Sequence, residues 1–499
     1  MLQLNEMQKE AVNCTEGPLL ILAGAGSGKT GVITQRTAHL VKDLNVAPWN
    51  ILAITFTNKA AGEMRSRIVN QVGPGGDQIW ISTFHSLCTR ILRRYADRIG
   101  YKSSFSIYDT DDQKAMMRRI IKEKNLDPKM YRERTILNAI SAAKNELIDV
   151  SEYRVRAAGN FDLQKKAELY QAYENELKNS NAMDFDDLLF KTVILLMEDA
   201  EVRQYYQERF KYVMVDEYQD TNTAQFRLVK LLCGKYRNIC VVGDDDQSIY
   251  KFRGANIRNI LDFENEYPGA RLIRLEENYR STGAILDVAN AVISHNSSRK
   301  GKTLYTRNER GERVRFEQFD NAYEEASYVA TRVKAGLNEG MSLSQFAVLY
   351  RTNAQSRILE EQFVSSNIPY KVVGGVNFYS RKEIKDVLAY LKAVDNPDDD
   401  LTVRRIINVP KRGIGQTTID RVSRYAAENG MSFYEALGDW DRIVDIKPAA
   451  GRKLQNFVSL MESFKADAKG HKRSGTREVR RDPEKRGRCR ACRRLHHRE

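Results

Sequence analysis

Short apolar runs alternate with amphipathic stretches over the first hundred residues and again between residues 212 and 275. The runs at residues 18–22, 51–56 and 79–83 have the length and branched side chains of buried strands. Between the first two runs, Ile33, Leu40 and Leu44 fall on one helical face. Strands that read as continuous apolar runs and alternate with helices predict an α/β fold built on a parallel sheet.

The pattern changes twice further along the chain. From about residue 101 to 185 glycines and apolar runs give way to helical periodicity and charge, which predicts a helical insertion into the first sheet domain. Apolar runs at 314–319, 346–350 and 370–373 predict strands of a second sheet domain. Helical periodicity returns at about residue 378. We therefore predict the following regions: a sheet domain at 1–100 and 186–276, an insertion at 101–185, a partial second sheet domain at 277–377, and a partial helical domain at 378–469.

Composition narrows the class of protein. The 499 residues are 42% hydrophobic and 29% charged, and no apolar run approaches the length that spans a bilayer. The first residues do not resemble a signal peptide, so we expect a cytoplasmic protein with no membrane partner. Six cysteines imply no disulfide framework. The net charge of +14 favours a polyanionic partner only weakly, because residues 470–499 alone hold twelve Lys or Arg against four acids.

The first candidate site follows the first apolar run and precedes a predicted helix. Its residues are Ala23, Gly24, Ala25, Gly26, Ser27, Gly28, Lys29 and Thr30. Strand, glycine loop and helix are the context of a phosphate-binding loop, in which backbone N–H groups surround an anion at a helix N-terminus. Lys29 would reach the β- and γ-phosphates, and the Thr30 hydroxyl would hold Mg²⁺. Ala23 stands where glycine is usual, so only the relaxed form of the motif is matched.

Two later strand ends carry further chemistry. Asp216 and Glu217 end an apolar strand; Asp216 would hold Mg²⁺ and Glu217 would polarise the attacking water, although an acidic pair at a strand end is often only a turn. Gln247 follows the next strand and could sense the γ-phosphate. Just beyond it, Tyr250 and Phe252 alternate with cationic residues, a pattern that suits base stacking.

Three weaker signals each have an ordinary alternative. The Gln8 amide could read the edge of adenine, or it could lie on a solvated helix face. Phe56 and Phe84 follow predicted strands and could stack on bases, but each could equally belong to the core. The basic glycine turn at 408–415 suits a DNA backbone as well as it suits an exposed loop between helices.

In this order, the segments resemble those of the superfamily 1A DNA helicases of the UvrD/PcrA/Rep type, with at least eight motifs in register from Leu4 to about Lys469. The resemblance implies tandem RecA-like P-loop NTPase domains, 1A and 2A, with the helical insertions 1B and 2B. It also implies a motor that uses ATP and Mg²⁺ to move 3′ to 5′ along single-stranded DNA and to separate strands at single-strand/duplex junctions. A monomer or a weak dimer is expected, and the sequence identifies no loading partner.

The resemblance also assigns roles to single residues. Gln8 and Tyr279 would hold adenine, and Arg280 would reach the γ-phosphate from the second domain as an arginine finger. The positions associated with the DNA track are Phe56, Thr83, His85, Phe185, Tyr250, Phe252, Asn353 and Arg357.

This sequence departs from the family pattern in several places. Phe252 stands where Trp is common, and Gly31 stands where Arg is usual. Two late motifs of the family are not found. The Arg-rich sequence after residue 469 is expected to be disordered. Zinc-like spacing is shown by Cys489, Cys492, His496 and His497, but in so basic a segment chance explains it better than a metal site does. The abrupt change suggests a frameshifted or misread terminus, which sequencing of the coding DNA across codon 470 would test.

Three hypotheses about function remain at this point. The first is an ATP-dependent DNA translocase and helicase in repair or replication. The second is a nucleotide-regulated protein that binds single-stranded DNA without productive turnover. The third, an RNA helicase, fits the motif strings less well.

Overall fold

The computed structural model describes residues 4–296, 299–373 and 382–478 of the chain. Eight strands occur in these residues: β1 (Leu19–Ala23), β2 (Ile51–Thr55), β3 (Trp80–Thr83), β4 (Ser106–Tyr108), β5 (Ala182–Asp184), β6 (Tyr212–Val215), β7 (Ile239–Gly243) and β8 (Arg271–Leu275). Six of them form one parallel sheet in the order β3-β2-β6-β7-β1-β8. The α/β class with a parallel sheet flanked by helices is therefore confirmed.

Helices connect and surround these strands in the described residues. They are α1 (Glu6–Asn13), α2 (Lys29–Lys42), α3 (Asn58–Val72), α4 (Phe84–Tyr95), α5 (Thr110–Glu123), α6 (Glu133–Asn145), α7 (Val150–Arg156), α8 (Phe161–Asn179), α9 (Phe185–Glu198), α10 (Ala200–Arg209), α11 (Thr223–Leu232), α12 (Arg258–Leu261), α13 (Phe263–Glu266), α14 (Gly283–Ile293), α15 (Ala322–Asn338), α16 (Asn353–Ser365), α17 (Lys382–Asp395), α18 (Asp400–Ile406), α19 (Gln416–Asn429), α20 (Phe433–Gly438) and α21 (Pro448–Glu478).

Helices cover both faces of the six-stranded sheet. On β1, Leu20 and Leu22 belong to the core that includes α4, α9, α10 and α11, whereas Leu19 and Ile21 belong to the core that includes α1, α2 and α3. All four side chains are fully buried. Because both faces are covered, the strands carry no polar alternation, and this is why their sequences read as continuous apolar runs.

The helical insertion lies between β4 and β5, two short strands that pair in parallel and that the sequence did not predict. Three residues are too few to give a recognisable apolar run. Helices α5, α6 and α8 supply its own core. At its return to the sheet domain, the fully buried ammonium of Lys144 contacts carboxylate oxygens of Glu174 at 2.6 Å and of Asp184 and Asp187 at 2.9 Å each. Opposite charges thus compensate one another in a site without solvent.

Helices α18 to α21, with the second half of α17, form a further core. Residues from 388 onward group with residues 1–310 in one compact unit. The Tyr108 hydroxyl donates to Asp399 at 2.6 Å, and the Asn396 amide donates to Ser106 at 3.1 Å, so this helical region contacts the insertion. Helix α21 extends to Glu478, into the segment expected to be disordered. Residues 479–499, with the Cys489 and Cys492 pair, lie outside the described residues.

Residues Gly311–Val387 form a second compact unit, which holds helices α15 and α16. The expectation of strands at 314–319, 346–350 and 370–373 is wrong for the described residues, since none of these segments pairs in a sheet. A strand requires hydrogen bonds from a neighbouring strand, and the apolar side chains of these segments, such as Phe316 and Leu349, are exposed. In the described part of the chain, no helix combines the length and the apolar character of a membrane span.

Candidate nucleotide and DNA site

The predicted site residues of the first domain lie along the carboxyl edge of the six-stranded sheet. Strand β1 ends at Ala23, β6 ends just before Asp216, and β7 ends just before Asp244. These three strands are close in the sheet order, so the sequence segments that follow them meet at one edge. This edge is where ligands bind in open α/β sheets.

The loop between β1 and α2 has the backbone of a phosphate cradle. Gly26 and Gly28 have φ of 65° and 84°, a left-handed conformation that favours glycine. The Ser27 hydroxyl donates to the Gly24 carbonyl at 2.8 Å and closes the turn. Helix α2 begins at Lys29, directly after Gly28, and no side chain caps it. Its first N–H groups are therefore available to an anion.

The phosphate loop and the acidic segment after β6 meet through Lys29 and Glu217. The Lys29 ammonium lies 3.1 Å from a Glu217 carboxylate oxygen. Glu217 has φ of 53°, a strained backbone for a residue with a side chain, as is common at functional sites. Asp216 beside it is buried, and burial together with the Glu217 charge raises the pKa of Asp216 to about 6, against the effect of Lys29.

This carboxylate pair fits a divalent cation. Asp216 accepts the backbone N–H of Glu217, and its carboxylate lies in a buried position that favours a compensating positive charge. Carboxylate and hydroxyl oxygens are the ligands that Mg²⁺ prefers. Asp216 and Thr30 are accordingly the residues that could hold it.

A chain of hydrogen bonds leads from Glu217 to Gln247. The Gln219 amide donates to Glu217 at 2.9 Å, and its oxygen accepts the backbone N–H of Asp244 at 2.9 Å. The Asp244 carboxylate in turn accepts the Gln247 amide. The sequence analysis missed Gln219 and Asp244, although both lie within three residues of predicted site residues. Their roles depend on the neighbouring positions of β6 and β7, which the sequence does not contain.

A second group of contacts surrounds Gln8 and Tyr279. The Gln8 amide donates to the Ser27 carbonyl at 2.9 Å and accepts the Asn5 backbone N–H at 3.0 Å, so it supports the phosphate loop and caps α1. Gln8 is buried, which differs from the solvated alternative. The Asn5 side chain donates to the Tyr279 hydroxyl at 2.8 Å and to Glu277 at 3.0 Å. The Tyr279 side chain itself is about half exposed (47%).

The segment that carries Tyr279 and Arg280 lies on the phosphate loop. The Tyr279 backbone N–H donates to the Gly26 carbonyl at 3.0 Å, and the Asn278 side chain donates to the Ala25 carbonyl at 2.6 Å. Arg280 is exposed beside this contact. Gln8, Lys29, Glu217 and Tyr279 are thus brought to one place by four separate parts of the chain.

The predicted stacking residues after β7 form an exposed platform. Phe252 is 73% exposed and Tyr250 is 39% exposed, with ring centroids 6.1 Å apart. The Arg253 guanidinium lies 5.3 Å from one ring centroid and 5.5 Å from the other. Exposed rings beside a cation are suited to stacking on bases.

Residues after β2 and β3 divide between the core and the surface. Phe84 is buried, so it belongs to the core, which was the alternative to base stacking. The partly buried Phe56 ring packs edge-on against Phe84, with the ring centroids 5.5 Å apart. Thr83 is buried and caps α4. The His85 ring meets the half-exposed Phe185 ring edge-on at 5.9 Å. Burial lowers the pKa of His85, against the effect of Asp186.

The remaining candidates belong to α16 and to the turn at 408–415. Asn353 begins α16, and Arg357 on the same helix pairs with Glu361 at 2.9 Å; both belong to the second compact unit. In the turn at 408–415, the Arg412 guanidinium donates to the carbonyls of Ile406 and Ile407 at 2.9 and 3.1 Å. This arginine therefore stabilises the turn itself, which favours the structural alternative for that residue.

Comparison with known proteins agrees with this geometry. The family model of the UvrD/REP helicase N-terminal domain matches residues 4–268, and that of the UvrD-like helicase C-terminal domain matches residues 273–472. The chain is similar to the ATP-dependent DNA helicase PcrA of Bacillus subtilis strain 168, at 51% identity over 92% of this chain and 62% of that protein. It is 51% identical to PcrA of Staphylococcus epidermidis and 49% identical to PcrA of Staphylococcus aureus, each over 92% of this chain and 63% of the relative. The chain thus spans about three-fifths of the length of these curated relatives.

Proposed function

The chain belongs to the UvrD/REP helicase family, and we propose that it is an ATP-dependent motor that moves 3′ to 5′ along single-stranded DNA and separates duplex strands at junctions. The observation that carries this proposal is the continuous set of contacts from Lys29 through Glu217 and Gln219 to Gln247. This set ends three residues before the exposed platform of Tyr250 and Phe252. A nucleotide-dependent change at Gln247 would reach the DNA contacts over a few residues of one loop.

The nucleotide end of the site supports ATP hydrolysis. In the nucleotide complex, Lys29 exchanges its Glu217 partner for the β- and γ-phosphates, which frees the Glu217 carboxylate to polarise water. Gln247 contacts the γ-phosphate, and Arg280 offsets the charge that develops on it. Thr30 and Asp216 would hold Mg²⁺, which when bound offsets phosphate charge. Gln8 supports the phosphate loop, and Tyr279 offers a half-exposed ring to adenine.

The DNA end supports a single strand. We assign Tyr250 and Phe252 to base stacking, and Phe56, Thr83, His85 and Phe185 to the track along the ends of β2 and β3. We also assign DNA contacts to Asn353 and Arg357 of α16. We propose a role in DNA repair or replication in the cytoplasm, as expected for a chain similar to the DNA helicase PcrA.

The test is ATP hydrolysis by the full chain with and without single-stranded DNA. We expect strong stimulation by DNA, and its loss in Lys29→Ala. Glu217→Gln should retain ATP binding and lose about 100-fold or more in turnover, as for other groups that act on the reacting water. Binding of ATP and DNA without stimulated turnover would instead support a nucleotide-regulated binding protein, and preference for RNA oligomers would favour an RNA helicase.

A further inference from the structure

A buried lysine lies between three consecutive aspartates beside the nucleotide site. The Lys302 ammonium is 2.7 Å from carboxylate oxygens of Asp244 and Asp246, and it also bonds Asp245. Only 1% of the Lys302 side chain is exposed. The three carboxylates lie within 4.8 Å of one another, a spacing that would suit a metal ion, and the ammonium takes that central position.

The hydrogen-bond donors of Lys302 match the acceptors of the three aspartates in number. A lysine ammonium has three N–H donors and accepts nothing, and here each of three carboxylates provides one acceptor. Burial alone would lower the pKa of Lys302, but its bonds to Asp244 and the neighbouring carboxylates raise it above its ordinary value. The lysine is therefore charged, and it offsets the repulsion among three adjacent carboxylates.

One of these carboxylates holds Gln247. Asp244 uses one oxygen for Lys302 and the other for the Gln247 amide, and its backbone N–H donates to Gln219. Without the ammonium, Asp244 would be repelled by the carboxylates of Asp245 and Asp246. The orientation of Gln247 thus depends on a cation 55 residues further along the chain.

The residues that follow Lys302 contact the phosphate loop and the segment beside it. Directly after Lys302, the Thr303 N–H donates to the Glu276 carboxylate at 3.0 Å, and the side chain of Leu304 lies directly against Gly24. Tyr305 then pairs with the segment of Tyr279 and Arg280, since its N–H donates to the Glu276 carbonyl at 3.1 Å. Lys302 therefore anchors residues that lie over the loop.

We propose that Lys302 is a positioning residue for ATP hydrolysis: its ammonium orients Asp244, and through it Gln247, and anchors the segment 302–305 over the phosphate loop. This inference rests on the proposed function. Lys302 contacts no reacting group, so its loss should affect turnover more than binding.

The first experiment separates these two effects. Lys302→Met keeps the length of the side chain and removes the charge. We expect its DNA-stimulated kcat to fall between about 10- and 100-fold, less than the roughly 100- to 1,000-fold loss for a donor that contacts the transition state, because Lys302 acts through Asp244. KM for ATP and the Kd of a fluorescent ATP analogue should change less than about three-fold. Lys300→Met is the matched control, because the Lys300 side chain pairs with the exposed Glu264 and only its backbone N–H reaches Asp245. A kcat of Lys302→Met within two-fold of that of Lys300→Met would overturn the proposal.

The second experiment asks whether Lys302 acts through Asp244. We expect the isosteric Asp244→Asn to lower kcat at least five-fold, and the double variant with Lys302→Met to be no slower than the slower single variant. Losses that multiply in the double variant would contradict the proposed route. If Lys302→Met melts below the assay temperature, Asp244→Asn decides alone, and an unchanged kcat there overturns the proposal.

Hydrogen exchange provides a test that does not require turnover. The amides of Asn278 and Tyr305 pair the two segments over the phosphate loop, and both should exchange faster in Lys302→Met than in the wild type or in Lys300→Met. If the wild-type chain hydrolyses no ATP, the proposed function fails. Hydrogen exchange would then still test whether Lys302 anchors the segment 302–305. Equal exchange in all three proteins would overturn that role even where hydrolysis is normal.

Discussion

Removal of the Phe252 ring should weaken the binding of single-stranded DNA without affecting the fold. The side chain is 73% exposed and belongs to none of the core clusters, so its truncation leaves no cavity. Stacking of one base on an aromatic side chain contributes about 1–3 kcal/mol. Since about 1.4 kcal/mol corresponds to a tenfold change in affinity, Phe252→Ala should raise the Kd for a thymidine oligonucleotide about 5- to 150-fold.

Fluorescence anisotropy with a labelled oligonucleotide would measure this effect, with the melting temperature followed in parallel. Phe161→Ala is the matched control, because Phe161 is 70% exposed but lies on α8 in the helical insertion. Phe252→Trp, which restores the larger ring common in the family, should bind at least as tightly as the wild type. Equal Kd values for Phe252→Ala and Phe161→Ala would show that the Phe252 ring does not stack on DNA.

Three further predictions concern stability, measured by denaturant unfolding. Arg36→Met should cost about 2–4 kcal/mol, because the buried guanidinium donates to the carbonyls of Ala11 and Thr15 at the end of α1; a loss under 1 kcal/mol would contradict this. Gly31→Ala should add about 0.5–1 kcal/mol, since Gly31 lies within α2 and a Cβ there meets open space; a loss of stability would show a hidden contact. Burial raises the pKa of the Asp400 carboxyl to about 6, although the hydrogen bond from the Phe433 N–H and the charge of Arg404 each lower it. The native state therefore binds the Asp400 proton more tightly than the unfolded chain does. The free energy of unfolding should accordingly fall as the pH rises from about 4 to 6. Asp400→Asn should therefore gain on the order of 2 kcal/mol at pH 7 and nothing at pH 4, and an equal gain at both would refute this assignment.

Much of the first sheet domain could be predicted from the sequence because its strands are buried on both faces. The predicted run at 51–56 corresponds to β2, and the predicted helical face that carries Ile33 and Leu40 lies on α2. The phosphate loop was equally predictable from the sequence, since its glycines, Lys29 and the start of α2 are adjacent in the chain. Local patterns suffice where one segment supplies the whole feature.

Features that depend on distant segments were not predictable in the same way. Lys302 is an ordinary lysine in the sequence, and its burial among three aspartates depends on the contact between its segment and β7. Gln219 likewise gains its role from the position of Asp244, directly after the neighbouring strand β7. The segments at 314–319 and 346–350 show the opposite case, in which an apolar run was present and a pairing partner was not found among the described residues.

The central claim is that ATP hydrolysis at this site drives directional movement on single-stranded DNA. The most direct measurement is the displacement of streptavidin from oligonucleotides biotinylated at one end, with ATP present and with Lys29→Ala as the control. We expect rapid displacement from the 5′ end, slow displacement from the 3′ end, and neither in the variant. Equal rates at both ends, or displacement that persists in Lys29→Ala, would contradict it.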